Sequence, residues 1–421
     1  MKIDHIAKIE GHAGFMASVL NGDVKSAKLE IQEGVRLMEG ILVGRYYKDV
    51  PIVVQRICGI CPVVHNLTAI KAIEKALKIE VSNETVMLRK ILEWAQIIHS
   101  HSLHLFFLSL ADFLDIENDL KLVEAYPAET KKVLEVRQFG LDLVRLIGGR
   151  VVHPLTNEVG GFKKTPTVPD LRKIQERMTK ALDAAVELGI FFKKIKLPEF
   201  SRPTEYICLD KPREYAIYDG DIVSNKGLHI PVEKFEENFH EFQRPQEIIK
   251  RVESDQKTSY MVGAIARVNL QNDKLNFQAK KYFDSLGYKL PDFNPFHNIQ
   301  YQMVELIQAI EEVIKILRVL GQSDVTMART EARKPYDLRE GSGAAAVEAP
   351  RGTLYYYIDL DYKGYVRKIN IITPTAQFLS HLEDDLKAYL PGIIDLSDRE
   401  RQKKIRALIR AYDPCISCAV H

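Results

Sequence analysis

The sequence predicts an α+β protein, mainly α, in which a central bundle of long buried helices carries peripheral β-rich segments. Three observations lead there. From about residue 64 to 148 the apolar residues recur at the helical period. Within that span the stretch 86–116, VMLRKILEWAQIIHSHSLHLFFLSLADFLDI, is apolar on every side and nearly free of breakers, the mark of a helix buried all round. Strand-like alternation is confined to the first 56 residues and to patches after residue 197.

Taken in order, GFMASVLNGDVKSAKLEI alternates like a hairpin turning at Asn21-Gly22-Asp23. NLTAIKAIEKAL reads as an amphipathic helix, and the long apolar helix of 86–116 follows. Tyr126-Pro127-Ala128 breaks the pattern before a helix that runs to Gly148 and Gly149. TPTVPD, Thr165 to Asp170, opens another, with Pro169 in its first turn. Residues 197–290 are patchier, with short strands such as YAIYDGDIV. Helices at about 298–320 and 400–411 bracket a loop- and strand-rich segment containing TLYYYIDLDYKGYVRKINII. No repeat or low-complexity linker divides the chain, so a single domain over 1–421 is expected, β-rich over about 1–56 and helical with insertions over about 57–421.

Composition excludes several classes of function. At 46% apolar and 28% charged the chain is globular and not disordered. Lysine and arginine total 59 against 57 acids, and a formal charge of +2 gives no footprint for nucleic acid. No apolar run approaches the roughly 18 residues of a membrane helix. The start, MKIDHIAKIEGHAGF, mixes charges and lacks a signal-peptide core, so no export address is expected. Of five cysteines, four lie in CxxC pairs, which suits a metal or redox site in a reducing compartment, the cytoplasm.

Those pairs sit near opposite ends of the chain. RICGICPVVH holds Cys58, Cys61 and His65, and DPCISCAVH holds Cys415, Cys418 and His421. A zinc ribbon keeps its halves within about 15–20 residues, whereas here the fold has to bring them together. Four thiolates select a soft metal. Spacing alone leaves structural zinc and a catalytic soft-metal site on equal terms, with a flavin–disulfide redox pair behind both.

Other motifs lie between them: IEGH at Ile9–His12, GGRVVHPLTNEVGG at Gly148–Gly161, EAPRG at Glu348–Gly352 and PTAQ at Pro374–Gln377. With the two cysteine motifs, and in this order, they resemble the large subunit of nickel–iron hydrogenases over the whole chain. The resemblance implies that family's fold, and it implies that a protease cuts after the histidine of the last motif once nickel is in place, so that a chain ending at His421 reads as the processed form. It further implies that Cys58, Cys61, Cys415 and Cys418 bind nickel, and that Cys61 and Cys418 also bridge to an iron carrying carbon monoxide and cyanide. Arg351 and Thr375, with Pro374 beside them, match the positions that hold those small ligands. Heterolytic cleavage of dihydrogen needs a base. Cys415 matches the thiolate candidate; Arg351 ranks second, because a guanidinium is a poor base. Glu10 matches the glutamate that relays the proton outward. Glu39 and His421, with a backbone carbonyl, resemble the shell of a second, hard cation, magnesium or ferrous iron. His65 and Asp413 resemble groups that orient the thiolates and the arginine.

Ordinary readings stand beside these. Without the family, Glu10 reads more readily as a surface carboxylate, and Arg351 also reads as a turn arginine. His101 and His104 read as core histidines with hydrogen-bonded partners, and Cys208 as a buried strand thiol. GSGAAA at 341–346 lacks the strand and glycine spacing of a dinucleotide loop. Three positions depart from the family pattern. Ser100 replaces an aspartate before the helix histidines, Tyr356 stands where a histidine is usual, and PTAQ replaces a tryptophan-containing form. These departures resemble the cytoplasmic, cofactor-coupled branch, the sulfhydrogenase alpha-subunit type. One cysteine left over cannot ligate an iron–sulfur cluster with four cysteines. An iron–sulfur small subunit is therefore implied, with flavin-bearing diaphorase-type subunits beyond it that reduce NAD(P), or alternatively a deazaflavin or ferredoxin. A maturation protease and nickel chaperones are implied for assembly.

Overall fold

The structure, a computed structural model, describes residues 1–116, 118–245, 247–322 and 337–421. It is mainly helical, with five small sheets of two or three strands at the periphery among the described residues.

Four long helices form the bundle: Asn83–Leu103, Pro127–Gly148, Val168–Phe192 and Asn298–Gln322. The first packs against the second and the fourth, and the third closes the ring by packing against the same two. Gly140 permits the closest approach, since a Cβ there would lie 2.9 Å from the Ile98 side chain and 3.0 Å from the Ala95 carbonyl. The ends follow capping chemistry. Ser82 accepts from the Thr85 N–H, and Thr167 forms a capping box with Asp170, with Pro169 in the first turn as expected. The 86–116 stretch is not one regular helix. After Leu103 it passes through a π-helical turn, His104–Ser109, before Leu110–Phe113. The Ser109 hydroxyl donates to the His104 and Leu105 carbonyls there, and such turns re-aim side chains.

The Pro62–Leu77 helix differs from its amphipathic reading: only Lys75 escapes burial. The sheet Gly341–Ala349, Gly352–Leu360 and Val366–Ile372 covers the face that the polar residues suggested was exposed. Those polar residues find partners inside. Lys71 donates to the Tyr218 and Ala346 carbonyls, and Glu74 pairs with the fully buried Arg89 at 2.7 Å. GSGAAA is the start of a strand lying on this helix, where a Cβ on Gly343 would fall 2.3 Å from the Ala72 carbonyl. The small residues record contact with a helix and not a ligand.

The hairpin pairs Ala13–Leu20 with Asp23–Ile31 and turns on Asn21 and Gly22, both at positive φ. In YAIYDGDIV only the end is strand, Asp221–Ser224, paired with Ile207–Asp210. Cys208 on the latter is fully buried, as read. Sequence patterning missed helices at Ala264–Gln271, Phe277–Leu286 and Pro374–Tyr389. The last replaces part of a segment read as loop and strand. The late helix runs Asp398–Ala411 from a capping box at Ser397. No described helix is long and apolar enough to cross a membrane.

Candidate metal centre

The two cysteine segments meet because each ends an element at the same place. The turn Gln55–Ile57 delivers Cys58 in extended backbone, and Cys61 caps the Pro62–Leu77 helix. The Asp398–Ala411 helix stops at Asp413, whose φ of 54° turns the chain so that Cys415 lies in a parallel bridge beside Glu10. The Ile416 N–H donates to the Glu10 carbonyl at 2.9 Å. Gly11 fits this crossing because a Cβ there would sit 2.8 Å from the Ile416 side chain. Arg36 ties both segments together, donating to the Arg56 and Ile57 carbonyls on one side and to the Ser417 carbonyl on the other. From the buried Asn83–Leu103 helix, Gln96 (2.6 Å) and His99 (3.0 Å) both reach the Ile60 carbonyl between the first two cysteines.

All four cysteines are buried and none is in a disulfide. Their sulfurs lie within 4.8 Å of one another, with Cys58–Cys415 at 3.5 Å, Cys61–Cys418 at 3.3 Å and Cys415–Cys418 at 2.9 Å. As thiols they share protons unequally. Hydrogen bonds from Cys415, Cys418 and Cys61 hold Cys58 well below the usual thiol range, while burial pushes Cys415 and Cys418 well above it. Four thiolates in so small a volume need a cation at their centre. Sulfurs about 2.3 Å from a tetrahedral ion lie about 3.8 Å from one another, within the range from 2.9 Å to 4.8 Å over which these four are spread. The donor set therefore fits one soft metal ion.

The surroundings are polar and directional. Cys415 Sγ donates to Glu10 Oε2 at 3.0 Å, and the same oxygen accepts from Ser417 N–H at 3.0 Å. The Thr375 hydroxyl accepts from Cys415 N–H at 3.0 Å. Burial holds His65 down to about 3, so it is neutral. With Nδ1 2.8 Å from the Tyr356 hydroxyl and Nε2 3.6 Å from Cys418 Sγ, the tautomer that satisfies both accepts a hydrogen bond from the Tyr356 O–H at Nδ1 and donates one from Nε2–H to the sulfur. Tyr356 thus does for His65 what the departure from the family pattern left unexplained.

Arg351 donates through Nε to the Asp413 carbonyl (2.7 Å) and through Nη2 to Asp413 Oδ1 (2.8 Å). Its Nη1 is buried and has no partner among the described residues. Burial opposes the charge, but Asp413 and the sulfurs of Cys415, Cys61 and Cys58 outweigh it and hold the guanidinium well above its ordinary value. Asp413 in turn receives Gln302 Nε2 at 3.3 Å, and Gln302 touches His104 at 2.5 Å. His101 meets Glu305 at 2.9 Å, so both histidines are partnered core residues. A small cavity of about 10 Å³, room for one water-sized molecule, borders Cys61, Cys415, Cys418, Arg351, His65, Pro374 and Thr375.

Glu39 and His421 lie 3.9 Å apart at the far side of the last cysteine. His421 Nε2 is 2.9 Å from the Ile371 carbonyl and its Nδ1 is 2.6 Å from the Cys418 carbonyl. Burial lowers its pKa, so a neutral ring can donate to only one of the two carbonyls. A cation shared by Nε2 and the Ile371 carbonyl would relieve the other, and adjacent ligands of an octahedral ion lie about 3 Å apart. Lys250 donates to Glu39 Oε2 at 2.9 Å.

Every residue given a metal-site or proton-transfer role in the sequence analysis lies in or beside these two clusters. Arg36, Gln96, His99, Gln302 and Lys250 were missed. Only Gln96 and His99 carried a signal, as polar residues on a helix otherwise buried all round.

Comparison with known proteins follows the same lines. The sequence model of the family described as nickel-dependent hydrogenase matches residues 36–205 and 250–421. The sulfhydrogenase 1 alpha subunit of Pyrococcus furiosus is 33% identical over 425 residues, covering 100% of this chain and 97% of that one. The beta subunit of the NAD-reducing hydrogenase HoxS of Cupriavidus necator is 26% identical over 464 residues, covering 100% and 94%. In fold, an NAD+-reducing nickel–iron hydrogenase solved in its H2-reduced state matches with a TM-score of 0.90 at 24% identity, over 100% of this chain and 99% of that one. The chain belongs to the nickel-dependent hydrogenases, as a large, catalytic subunit of the nickel–iron type.

Proposed function

We propose that the buried sulfur cluster is where this subunit splits dihydrogen reversibly into protons and electrons. Cys58, Cys61, Cys415 and Cys418 would hold nickel, and Cys61 and Cys418 would also hold an iron bearing carbon monoxide and cyanide. When bound, this metal pair supplies the soft, electron-rich site at which dihydrogen is polarised. The observation that carries the reading is the Cys415 Sγ–Glu10 Oε2 contact of 3.0 Å, on a sulfur that borders a small cavity together with Cys61 and Cys418. A structural zinc site is closed by its four ligands and has no use for a carboxylate hydrogen-bonded to one of its sulfurs.

Cys415 Sγ takes the proton and passes it to Glu10 Oε2, which the Ser417 N–H keeps aimed at the sulfur. Arg351 ranks second as the base, because a guanidinium is a poor one; its Nη1, with Thr375 and Pro374, would face the small ligands of iron. Asp413 fixes that guanidinium and His65 steadies Cys418. Glu39, His421 and the Ile371 carbonyl would hold magnesium or ferrous iron.

Electrons leave through an iron–sulfur small subunit, because Cys208 is the only other cysteine and is fully buried. The NAD-reducing hydrogenase of Cupriavidus necator and the NAD+-reducing solved structure support NAD(P) as the final acceptor, through diaphorase-type subunits, with a deazaflavin or ferredoxin as the alternative. A cytoplasmic complex suits this reading, because cysteines used as metal ligands and not as disulfides fit a reducing compartment. Metal analysis of the native complex, with infrared absorption of bound carbon monoxide and cyanide, tests the reading. About one nickel per chain with iron and the bands is expected, as is loss of nickel and of hydrogen turnover in Cys415→Ser. Stoichiometric zinc and no bands in matured protein would sink it.

A further inference from the structure

Arg351 lies on a short link between two strands, and its position has to be set by something. Asp413 holds the tip of the side chain. The backbone is held from the other side by one helix, Ala264–Gln271. At its start, Gly263 (φ 99°) lies so close that a Cβ would meet the Arg351 carbonyl at 2.9 Å. One turn later Arg267, fully buried, reaches the same link.

The Arg267 guanidinium spends all five of its N–H donors. Nε donates to Glu305 Oε1 at 2.5 Å, and Nη2 donates to Glu305 Oε2 at 2.6 Å and to the Pro350 carbonyl at 3.1 Å. Nη1 donates to Glu348 Oε2 at 2.8 Å and to the Ala349 carbonyl at 3.0 Å. The two carbonyls are those directly before Arg351. Both carboxylates are themselves fixed: Glu305 by Tyr215 (2.7 Å) and His101 (2.9 Å), Glu348 by Thr353 (2.7 Å) and the Leu209 N–H (2.8 Å). A lysine would preserve the charge but not the planar fork that grips two carboxylates and two carbonyls at once.

Resting on the hydrogenase reading above, we propose that Arg267 is a positioning residue that sets where the Arg351 guanidinium stands over the sulfur cluster, acting from beneath the backbone and not through the metals. Its charge is fully spent on Glu305 and Glu348, so its influence passes through the Ala349 and Pro350 carbonyls. A displacement of Arg351 by about 1 Å is enough to cost roughly a hundredfold in rate.

The test uses the complete matured complex with Arg267→Lys, Tyr215→Phe and, as a control, Arg89→Lys. Arg89 is also fully buried and paired, but with Glu74 at 2.7 Å in another part of the molecule. Arg267→Lys should keep nickel and iron, shift the cyanide and carbon monoxide bands, and lower kcat by tenfold to a hundredfold. Tyr215→Phe removes one bond to Glu305 without touching the Arg351 link, so it folds and should shift the same bands in the same direction by less. Arg89→Lys should lower the melting temperature with the bands unmoved. Wild-type bands in both Arg267→Lys and Tyr215→Phe would overturn the proposal; if Arg267→Lys does not accumulate, Tyr215→Phe alone decides. Absence of the bands from the wild-type complex would instead sink the hydrogenase reading.

Discussion

One oxygen of Glu10 serves two neighbours, the Cys415 thiol and the Ser417 N–H, both at 3.0 Å. Glutamine in its place keeps the shape and the bond from Ser417 but cannot take up a proton. Glu10→Gln should therefore keep its metals and infrared bands while hydrogen–deuterium exchange falls by about 10²–10⁴-fold; undiminished exchange would remove Glu10 from the proton route. At this scale the sequence was unevenly legible. The four cysteines stood out because CxxC spacing is a local pattern, and Glu10, Glu39 and Arg351 were found only through ordered motifs. Arg36 and Arg267 gave no sign. Each works by touching carbonyls of segments far away in the chain, and a carbonyl has no letter in a sequence.

Between the Pro62–Leu77 and Asn83–Leu103 helices lie two buried ionisable groups that the proposed chemistry does not use. Both carboxyl oxygens of Glu93 lack a partner among the described residues. Burial pushes Glu93 up to about 8 and Lys71 down to about 8. Because the folded pKa of Glu93 lies above its unfolded value, its contribution is fully present below about pH 4.5 and is lost as pH rises through about 8. Lys71 runs the other way: its contribution is complete above about pH 10.5 and is lost as pH falls through about 8. Glu93→Gln should thus match wild type near pH 5 and exceed it by on the order of 1–3 kcal/mol near pH 9. Thermal unfolding at the two pH values checks this, and an equal difference at both would exclude the titration of Glu93 as the cause. Long helices were legible because their period is repeated many times. Ala264–Gln271 and Phe277–Leu286 are too short to repeat it, and Pro374–Tyr389 opens on a proline that reads as a loop. The Pro62–Leu77 helix misled because its polar residues are satisfied inside.

Across the molecule, His421 joins its own Cys418 turn to two distant parts of the chain, the Val366–Ile372 strand and the Glu39 helix. His421→Ala should lose the hard cation and speed amide exchange in that strand, with the sulfur cluster still loaded. Undiminished magnesium or iron content beyond the nickel site would exclude His421 as a ligand. The overall class, a helical bundle with marginal sheets, was legible because burial leaves its trace in composition over long spans. The way the sheet wraps the Pro62–Leu77 helix was not, because it depends on residues nearly 300 positions apart.

The Cys58–Cys415 contact joins positions 357 residues apart. An ion gripped by both segments turns the chain into a closed ring, and a loop of that length restricts the unfolded chain by roughly 6 kcal/mol. Loading the site is therefore also an act of topology. An empty subunit can open at its seam while the bundle stays folded, whereas a loaded one cannot part its ends without first surrendering its metal.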